Sequence, residues 1–346
     1  MTPHPFGLHR SLDPPGVLPQ TARRLDATPK PFENELAIAV RALSIDSASF
    51  RQLRETEQAT GELVRDQILR IVRERGKMQN PVTGSGGMLL GEVAEIGRRH
   101  PAAARFRPGD AVASLVSLTL TPLSLTSVGE IHVQTERVEA TGTAILFERT
   151  LVAPLPTDLP EAVALAAFDV AGAPAAVLRD AAPGATVLVI GTGKAGLLCL
   201  AAARERVGAK GKVLAVEPSR DAAERARLLG FADAVFAIDA RDPVTMLSAV
   251  EGATSGRLAD LVVNVANAPG TEAASVLCAR DEGAVLYFGM ATSFSAAALG
   301  AEGLAKPTSL RIGNGYVPGH DETALGLLRR HPALARAFAS LAGPAR

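Results

Sequence analysis

Residues Thr186 to Gly196 read TVLVIGTGKAG, and this stretch decides the fold. The apolar run Val187, Leu188, Val189, Ile190 leads from Thr186 straight into Gly191, Gly193 and Gly196. The spacing is G-x-G-x-x-G, set where a buried strand gives way to a helix. The three glycines serve different physical ends. Gly191 makes a tight turn, Gly193 lets backbone approach a pyrophosphate, and Gly196 lets the helix pack on the strand. The helix that follows, GLLCLAAARERVG, turns unpaired N–H groups and the positive end of its dipole toward phosphate oxygens. Gly191, Thr192, Gly193, Lys194, Ala195 and Gly196 are therefore the candidate phosphate cradle of a dinucleotide site.

A second strand, Lys212 to Val216 (KVLAV), ends at Glu217, about 20 residues beyond the last glycine, where an acid takes the adenosine ribose diol. Glu217 suits a 2′-hydroxyl and repels a 2′-phosphate, which favours NAD. Arg220, just beyond, pulls toward NADP, because an arginine there accommodates that phosphate. NAD is expected, with NADP possible. Asn264 to Asn267 and Met290 to Thr292 end later strands, so Asn267 and Thr292 are expected beside the ribose and nicotinamide.

Outward from this motif the chain changes character. After Pro154, LPEAVALAAFDVAGAPAAVLRDA reads as one or two helices. The strands KVLAVEPS, DAVFAID, DLVVNVAN and GAVLYFGM then alternate with helical stretches, the pattern of a doubly wound parallel sheet. TSLRIGNGY (Thr308 to Tyr316) reads as a further strand, free to pair across a two-fold axis in a homodimer, and the chain closes in helix. Before residue 150 the pattern is β-rich with many Gly/Pro turns, including ELAIAVRAL (Glu35 to Leu43) and FRPGDAVASLVSL (Phe106 to Leu118), which predicts a partly open barrel. Residues 1–31 read as an arm laid over this domain. Residues 51–76 read as helix, with Leu53, Leu63, Ile68, Ile71 and Val72 facing inward.

Composition narrows the function. The 346 residues carry 36 basic and 36 acidic side chains, so nothing points to nucleic acid or another polyanion. No apolar run approaches the ~18 residues of a membrane span, and the N-terminus lacks an apolar signal core, which predicts a cytoplasmic protein. The two cysteines, Cys199 and Cys278, sit in apolar patterns and read as small buried hydrophobes.

A β-barrel domain followed by a dinucleotide domain resembles the medium-chain dehydrogenase/reductase superfamily, and FRPGDAV looks like its turn between barrel strands. The resemblance implies an α/β protein: a GroES-like partly open β-barrel catalytic domain over 1–149, joined by 329–346, and a Rossmann doubly wound domain over 150–328. A closer resemblance rests on HRSLDPPGVLPQ, SIDSASF, GKMQNPVTGSGGM, LVSLTLTPL, AILFE, FDVAGAPA, MATSF, ALGAEG and IGNGY, in order from His9 to Tyr316. Together they are similar to the L-erythro-3,5-diaminohexanoate dehydrogenase family of lysine fermentation. That implies oxidative deamination: 3,5-diaminohexanoate, NAD(P)+ and water give 5-amino-3-oxohexanoate, NAD(P)H and ammonia. Two other readings share the scaffold, a zinc-independent quinone or enoyl reductase and a non-enzymatic dinucleotide-binding protein. Glu217 argues against the first, which prefers NADPH; the second predicts cofactor binding without turnover.

Many superfamily members hold a catalytic zinc. Laid on this chain, the ligand positions fall at Asp46, Gly87 and near Ala166, and two of these cannot ligate. The six histidines, His4, His9, His100, His132, His320 and His331, are scattered without metal-ligand spacing, so no metal is expected.

The implied substrate, a carboxylate with two ammonium groups, then assigns the remaining candidates by charge. Asp46, at the end of the first barrel strand, pairs with an ammonium or takes its proton; the alternative is an Asp that caps a turn with Ser47 and Ser49. Lys77 is the candidate carboxylate anchor, with Asn80, Thr83 and Ser85 adding hydrogen bonds. Glu302 is the candidate for the second ammonium, with a helix-surface role as the alternative. Asp169 is expected near the nicotinamide, or else as a helix N-cap.

Overall fold

The computed structural model describes residues 3–313 and 315–342. The chain divides into two compact units, Met1–Asp158 and Leu159–Arg346.

The first unit begins with the arm, where β1 (Ser11–Asp13) and β2 (Arg24–Leu25) pair antiparallel. A buried ionic knot ties the arm to the sheet. Arg10, 1 % exposed, donates Nε and Nη2 to Glu35 at 3.0 and 2.6 Å. It also donates to the carbonyls of Thr28 and Lys30 at 2.8 and 2.9 Å. His9 Nε2 lies 2.8 Å from the same carboxylate.

Glu35 opens β3 (Glu35–Ser44), followed by α1 (Ser47–Thr60), α2 (Val64–Arg75), β4 (Met88–Ile96), β5 (Ala111–Ser114), β6 (Leu123–His132), β7 (Arg137–Phe147) and β8 (Val152–Pro154). The strands form one six-stranded sheet in the order β6-β7-β3-β4-β5-β8. Every pair is antiparallel. Leu36, Ile38 and Val40 alternate inward along β3, and an irregularity between Val40 and Ala42 resets the alternation to Leu43. Ile68, Ile71 and Val72 of α2 pack into the same core. The helical stretch breaks at Gly61, whose φ of 77° ends α1. The break reassigns one expected core residue: Leu63 is exposed between the helices, and Val64 is buried in its place.

The second unit opens with α3 (Glu161–Val170) and α4 (Gly172–Asp180). It continues with β9 (Thr186–Ile190), α5 (Lys194–Val207), β10 (Lys212–Val216), α6 (Arg220–Leu229), β11 (Ala234–Phe236), α7 (Pro243–Thr254), β12 (Ala259–Asn264), α8 (Glu272–Cys278), β13 (Ala279–Tyr287), α9 (Phe294–Gly303), β14 (Ser309–Ile312), α10 (His320–Arg330) and α11 (Pro332–Ala342). The strand order is β11-β10-β9-β12-β13-β14, parallel throughout. Strand order reverses between β9 and β12, and such a switch point is where open α/β sheets bind ligands. The strand expected over Thr308 to Tyr316 is β14, at the sheet edge; Asn314 of that stretch lies outside the described residues.

One expected boundary is corrected. The family resemblance joins residues 329–346 to the barrel domain, yet α11 packs against α3, α5 and α10 of the second unit, where Leu334 and Phe338 are buried. An amphipathic helix goes where its apolar stripe is covered, and here the helices flanking the parallel sheet cover it. Residues 343–346 lie outside the described set. Among the described residues no single helix is long and apolar enough to cross a membrane; the apolar pair α3 and α4 is bent by 50° at its break.

Candidate active site

The candidate site residues fall into two groups, one in each unit. In the second, β9 ends at Ile190 and runs into Gly191, whose φ of 91° is a conformation that side chains resist. A Cβ on Gly196 would meet the carbonyl oxygen of Gly191 at 2.0 Å, so only glycine lets α5 start this close to the strand. Gly193 differs: it caps α5, and a Cβ there would meet nothing within 4 Å. The space above Gly193 is therefore free for a ligand rather than filled by protein. The first intrahelical bond runs from Leu197 N to Gly193 O, which leaves the N–H groups of Lys194, Ala195 and Gly196 turned to that space. Gly191, Thr192, Gly193, Lys194, Ala195 and Gly196 thus form one contiguous loop. The N–H groups of Gly191 and Thr192 are taken by Val216 O and Glu217 Oε2, while those of Lys194, Ala195 and Gly196 are the candidate donors to a pyrophosphate.

Glu217 folds back onto this loop. Its Oε2 accepts from the backbone N–H and the hydroxyl of Thr192 at 2.9 and 3.1 Å, and its Oε1 accepts from Ser219 N at 3.0 Å. A carboxylate has about four acceptor directions, so the three bonds leave one for a ribose hydroxyl. Arg220 is exposed in the first turn of α6, three residues beyond Glu217.

The ends of β12 and β13 are braced from beneath. Asn264, fully buried, donates to Thr271 Oγ1 and Ser275 Oγ at 2.8 and 2.9 Å and accepts from Ala266 N. This sets the turn that leaves Asn267 exposed. Buried Glu272 accepts from Ser293 N at 2.7 Å and so anchors the loop carrying half-buried Thr292. Sequence reasoning misses Glu272, which reads as an ordinary acid in a helical first turn.

In the first unit Asp46 caps α1, its Oδ1 accepting from Ser49 N at 3.0 Å. The capping alternative is thus realised through Ser49, while Ser47 turns instead to Glu136. Capping does not exhaust the carboxylate. Ser85 Oγ donates to the same Oδ1 at 2.9 Å, and Oδ2 is buried with no hydrogen-bond partner. An orphaned buried carboxylate oxygen costs on the order of 1–3 kcal/mol unless something donates to it. Ser85, Ser49 and Thr83 form a hydroxyl triangle with edges of 2.6, 2.9 and 3.1 Å.

Lys77 is corrected. The charge argument has it face a substrate carboxylate, but it is fully buried, and its Nζ donates to the carbonyls of Pro19 and Gln20 at 2.7 and 3.4 Å. The tertiary fold lays the arm over this lysine and takes up its donors. Burial, with a lesser push from Arg75, lowers its ammonium to about 8. Asp169 is exposed in the last turn of α3, and the N-cap of the next helix is Ala171. Glu302 is exposed near the end of α9, the helix-surface placement. Both belong to the second unit, whereas the Asp46 cluster is built wholly from the first.

The position expected for a second zinc ligand is closed to any side chain. Gly87 has a φ of 107°, and a Cβ there would lie 2.0 Å from Ser44 O. Among the described residues no group of three or more His, Cys, Asp or Glu converges as a metal site. Both cysteines are buried, which pushes their thiols up, Cys278 to about 12.

A family profile described as the L-erythro-3,5-diaminohexanoate dehydrogenase N-terminal domain matches residues 9–156. The L-erythro-3,5-diaminohexanoate dehydrogenase of Acetoanaerobium sticklandii is 44% identical over 94% of this chain and 94% of its own. That of Fusobacterium nucleatum is 45% identical over 96% of this chain and 97% of its own. Among solved structures, a mycobacterial protein complexed with NADPH is 20% identical with a TM-score of 0.54, covering 91% of this chain and 83% of its own. The D-arabinose dehydrogenase of Sulfolobus solfataricus is 15% identical with a TM-score of 0.54, covering 88% and 90%. The structural likenesses show a shared fold. The sequence relationships, spanning almost every residue of both relatives, show that this chain belongs to the L-erythro-3,5-diaminohexanoate dehydrogenase family.

Proposed function

We propose that the chain catalyses NAD(P)-dependent oxidative deamination of L-erythro-3,5-diaminohexanoate to 5-amino-3-oxohexanoate with release of ammonia. The observation that carries this reading is the 44–45% identity to two dehydrogenases of that name over nearly their whole length. When bound, the nicotinamide ring supplies the acceptor for the hydride leaving C3. The glycine cradle fits such a dinucleotide, because the space above Gly193 is open and the helical N–H groups face it.

The residues divide the remaining work. Asp46 Oδ2, buried and bare, is the group we assign to the C3 amine. It attracts the substrate as an ammonium and takes a proton from the nitrogen so that its lone pair assists hydride departure. Water then adds at C3 of the resulting iminium, and the proton returned by Asp46 lets the nitrogen leave as ammonia while the added oxygen becomes the carbonyl. Ser85 holds the other oxygen in place. Glu302 remains a proposal for the second ammonium and Asp169 one for a place near the nicotinamide, on charge alone. Glu217 favours a free 2′-hydroxyl, so we propose a preference for NAD with NADP tolerated. The buried thiols Cys199 and Cys278 suit a reducing, cytoplasmic setting. We further propose a homodimer built by pairing β14 edges across a two-fold; Ile312 there is 64% exposed.

The test is purified protein with EDTA, 3,5-diaminohexanoate and either NAD or NADP, following reduced cofactor and ammonia together. Matching reduction and ammonia release, undiminished by EDTA, is the expected result. Silence with both cofactors, alongside turnover of a quinone with NADPH, would replace this reading with a reductase. Asp46→Asn keeps the cap and is expected to lower turnover about 100-fold or more at unchanged cofactor affinity.

A further inference from the structure

We propose that Ser49, Thr83 and Asn80 are positioning residues that act through Ser85 to hold Asp46 Oδ1 while Oδ2 stays buried and without a donor, so that a single carboxylate oxygen is kept for the substrate's amine. This rests on the assignment of Asp46 to that amine.

Carboxylate oxygens only accept, so the one proton of the Ser85 hydroxyl points to Asp46 Oδ1. Ser85 Oγ also lies 2.9 Å from Ser49 Oγ and 3.1 Å from Thr83 Oγ1, and its proton is already committed. Ser49 and Thr83 must therefore donate toward Ser85 or toward each other, and the triangle acquires a direction. Thr83, exposed, is its solvent end, and fully buried Ser49 its inner corner. Hydrogen bonds aligned in this way polarise one another and hold the last donor on its acceptor.

Asn80 fixes the triangle in space. It is fully buried and its side chain is fully used. Oδ1 accepts from Val82 N and Thr83 N at 2.8 and 3.2 Å, and Nδ2 donates to Gln52 Oε1 at 2.7 Å and reaches Ser49 O at 3.5 Å. Its backbone N donates to Ser85 O at 2.8 Å. One amide thus clamps the 80–85 loop to α1, the helix whose cap is Asp46.

A cluster selected only to close a loop would satisfy both oxygens of a buried carboxylate. Here one hydroxyl, Ser85, reaches Asp46 and goes to Oδ1, the Ser49 and Thr83 hydroxyls stand behind Ser85, and none of the three serves Oδ2. The arrangement leaves one oxygen in need of a donor and keeps it from rotating away, which is what a group that must meet a primary ammonium in one orientation needs.

The experiment is a double-mutant cycle on the full-length enzyme. Asn80→Ala removes a buried clamp and risks the fold, so Ser49→Ala and Thr83→Val carry the test. Each is expected to lower kcat on the diamine about tenfold, with KM for NAD and Tm unchanged. Ser85→Ala is expected to do the same, and Ser85→Thr to restore most of the loss. In the Ser85→Ala background, Ser49→Ala and Thr83→Val should add nothing, since both act through Ser85. Wild-type kcat in both single variants, a full additional loss in the Ser85→Ala background, or a loss that tracks Tm would each overturn the proposal. Asp46→Asn separates the two levels: wild-type turnover there removes the assignment of Asp46 itself, whereas a nearly inactive Asp46→Asn with additive hydroxyl variants removes only the positioning roles.

Discussion

Thr192 donates both its backbone N–H and its hydroxyl to one carboxylate oxygen of Glu217, at 2.9 and 3.1 Å. The acid proposed to select the adenosine ribose therefore also braces the glycine loop proposed to cradle the phosphates. On that proposal, cofactor choice and cofactor affinity are coupled through a single side chain.

Glu217→Ala should accordingly lower NAD affinity about tenfold and bring the NAD-to-NADP ratio of kcat/KM closer to one. Thr192→Val removes only the hydroxyl bond and keeps the N–H, so its effect should be smaller and equal for both cofactors. Steady-state kinetics with each dinucleotide decides; unchanged NADP use in Glu217→Ala counts against the assignment.

Two glycines of one motif should fail differently. Gly196→Ala forces a methyl against Gly191 O at 2.0 Å, and overpacking of this kind costs about 1–3 kcal/mol. It should lower Tm and cofactor binding together. Gly193→Ala meets nothing within 4 Å, so Tm should hold while dinucleotide affinity falls about tenfold or more. Thermal melts paired with NADH-binding titrations separate the two.

Lys77 makes stability depend on pH in the alkaline range. Its folded value of about 8 lies below the ordinary 10.5, so the unfolded chain binds this proton more tightly. The lysine's contribution is complete above 10.5 and is lost as pH falls toward 8. Relative to Lys77→Met, the wild type should gain roughly 2 kcal/mol between about pH 7.5 and about pH 9.5. Urea unfolding at the two pH values measures it; a gap that does not change with pH would show that the two carbonyl acceptors offset burial.

Glu35 predicts the opposite, acidic dependence. Burial alone would raise its carboxyl, but hydrogen bonds from His9, Arg10 and Phe32 N–H outweigh burial and hold it below the ordinary 4.5. The stabilisation is present above 4.5 and is lost as pH falls through the lowered folded value. Glu35→Gln leaves Arg10 buried beside a neutral group and should cost about 3–5 kcal/mol at neutral pH. The denaturation midpoints of variant and wild type should converge in acid, and parallel pH profiles would remove the knot from the account of the arm.

Sequence alone determined the parallel sheet, its glycine cradle and the acid at the end of β10. These follow from local rules: strand periodicity, the space a glycine leaves, and the distance along a β-α-β unit. It also identified Asp46 as a residue with either a capping or a chemical role. Tertiary structure decided what that acid does with each oxygen, because Ser85 reaches Oδ1 from a loop 39 residues on, held there by Thr83 and Asn80, while Oδ2 is left without a donor. It decided Lys77 as well, since only folding brings Pro19 and Gln20 over a lysine 58 and 57 positions away. The same holds for α11, whose apolar stripe was legible but whose partner was not. A pattern of residues states which groups need a neighbour; contacts distant along the chain settle which neighbour they receive, because the entropy of closing the chain is offset only by the whole fold.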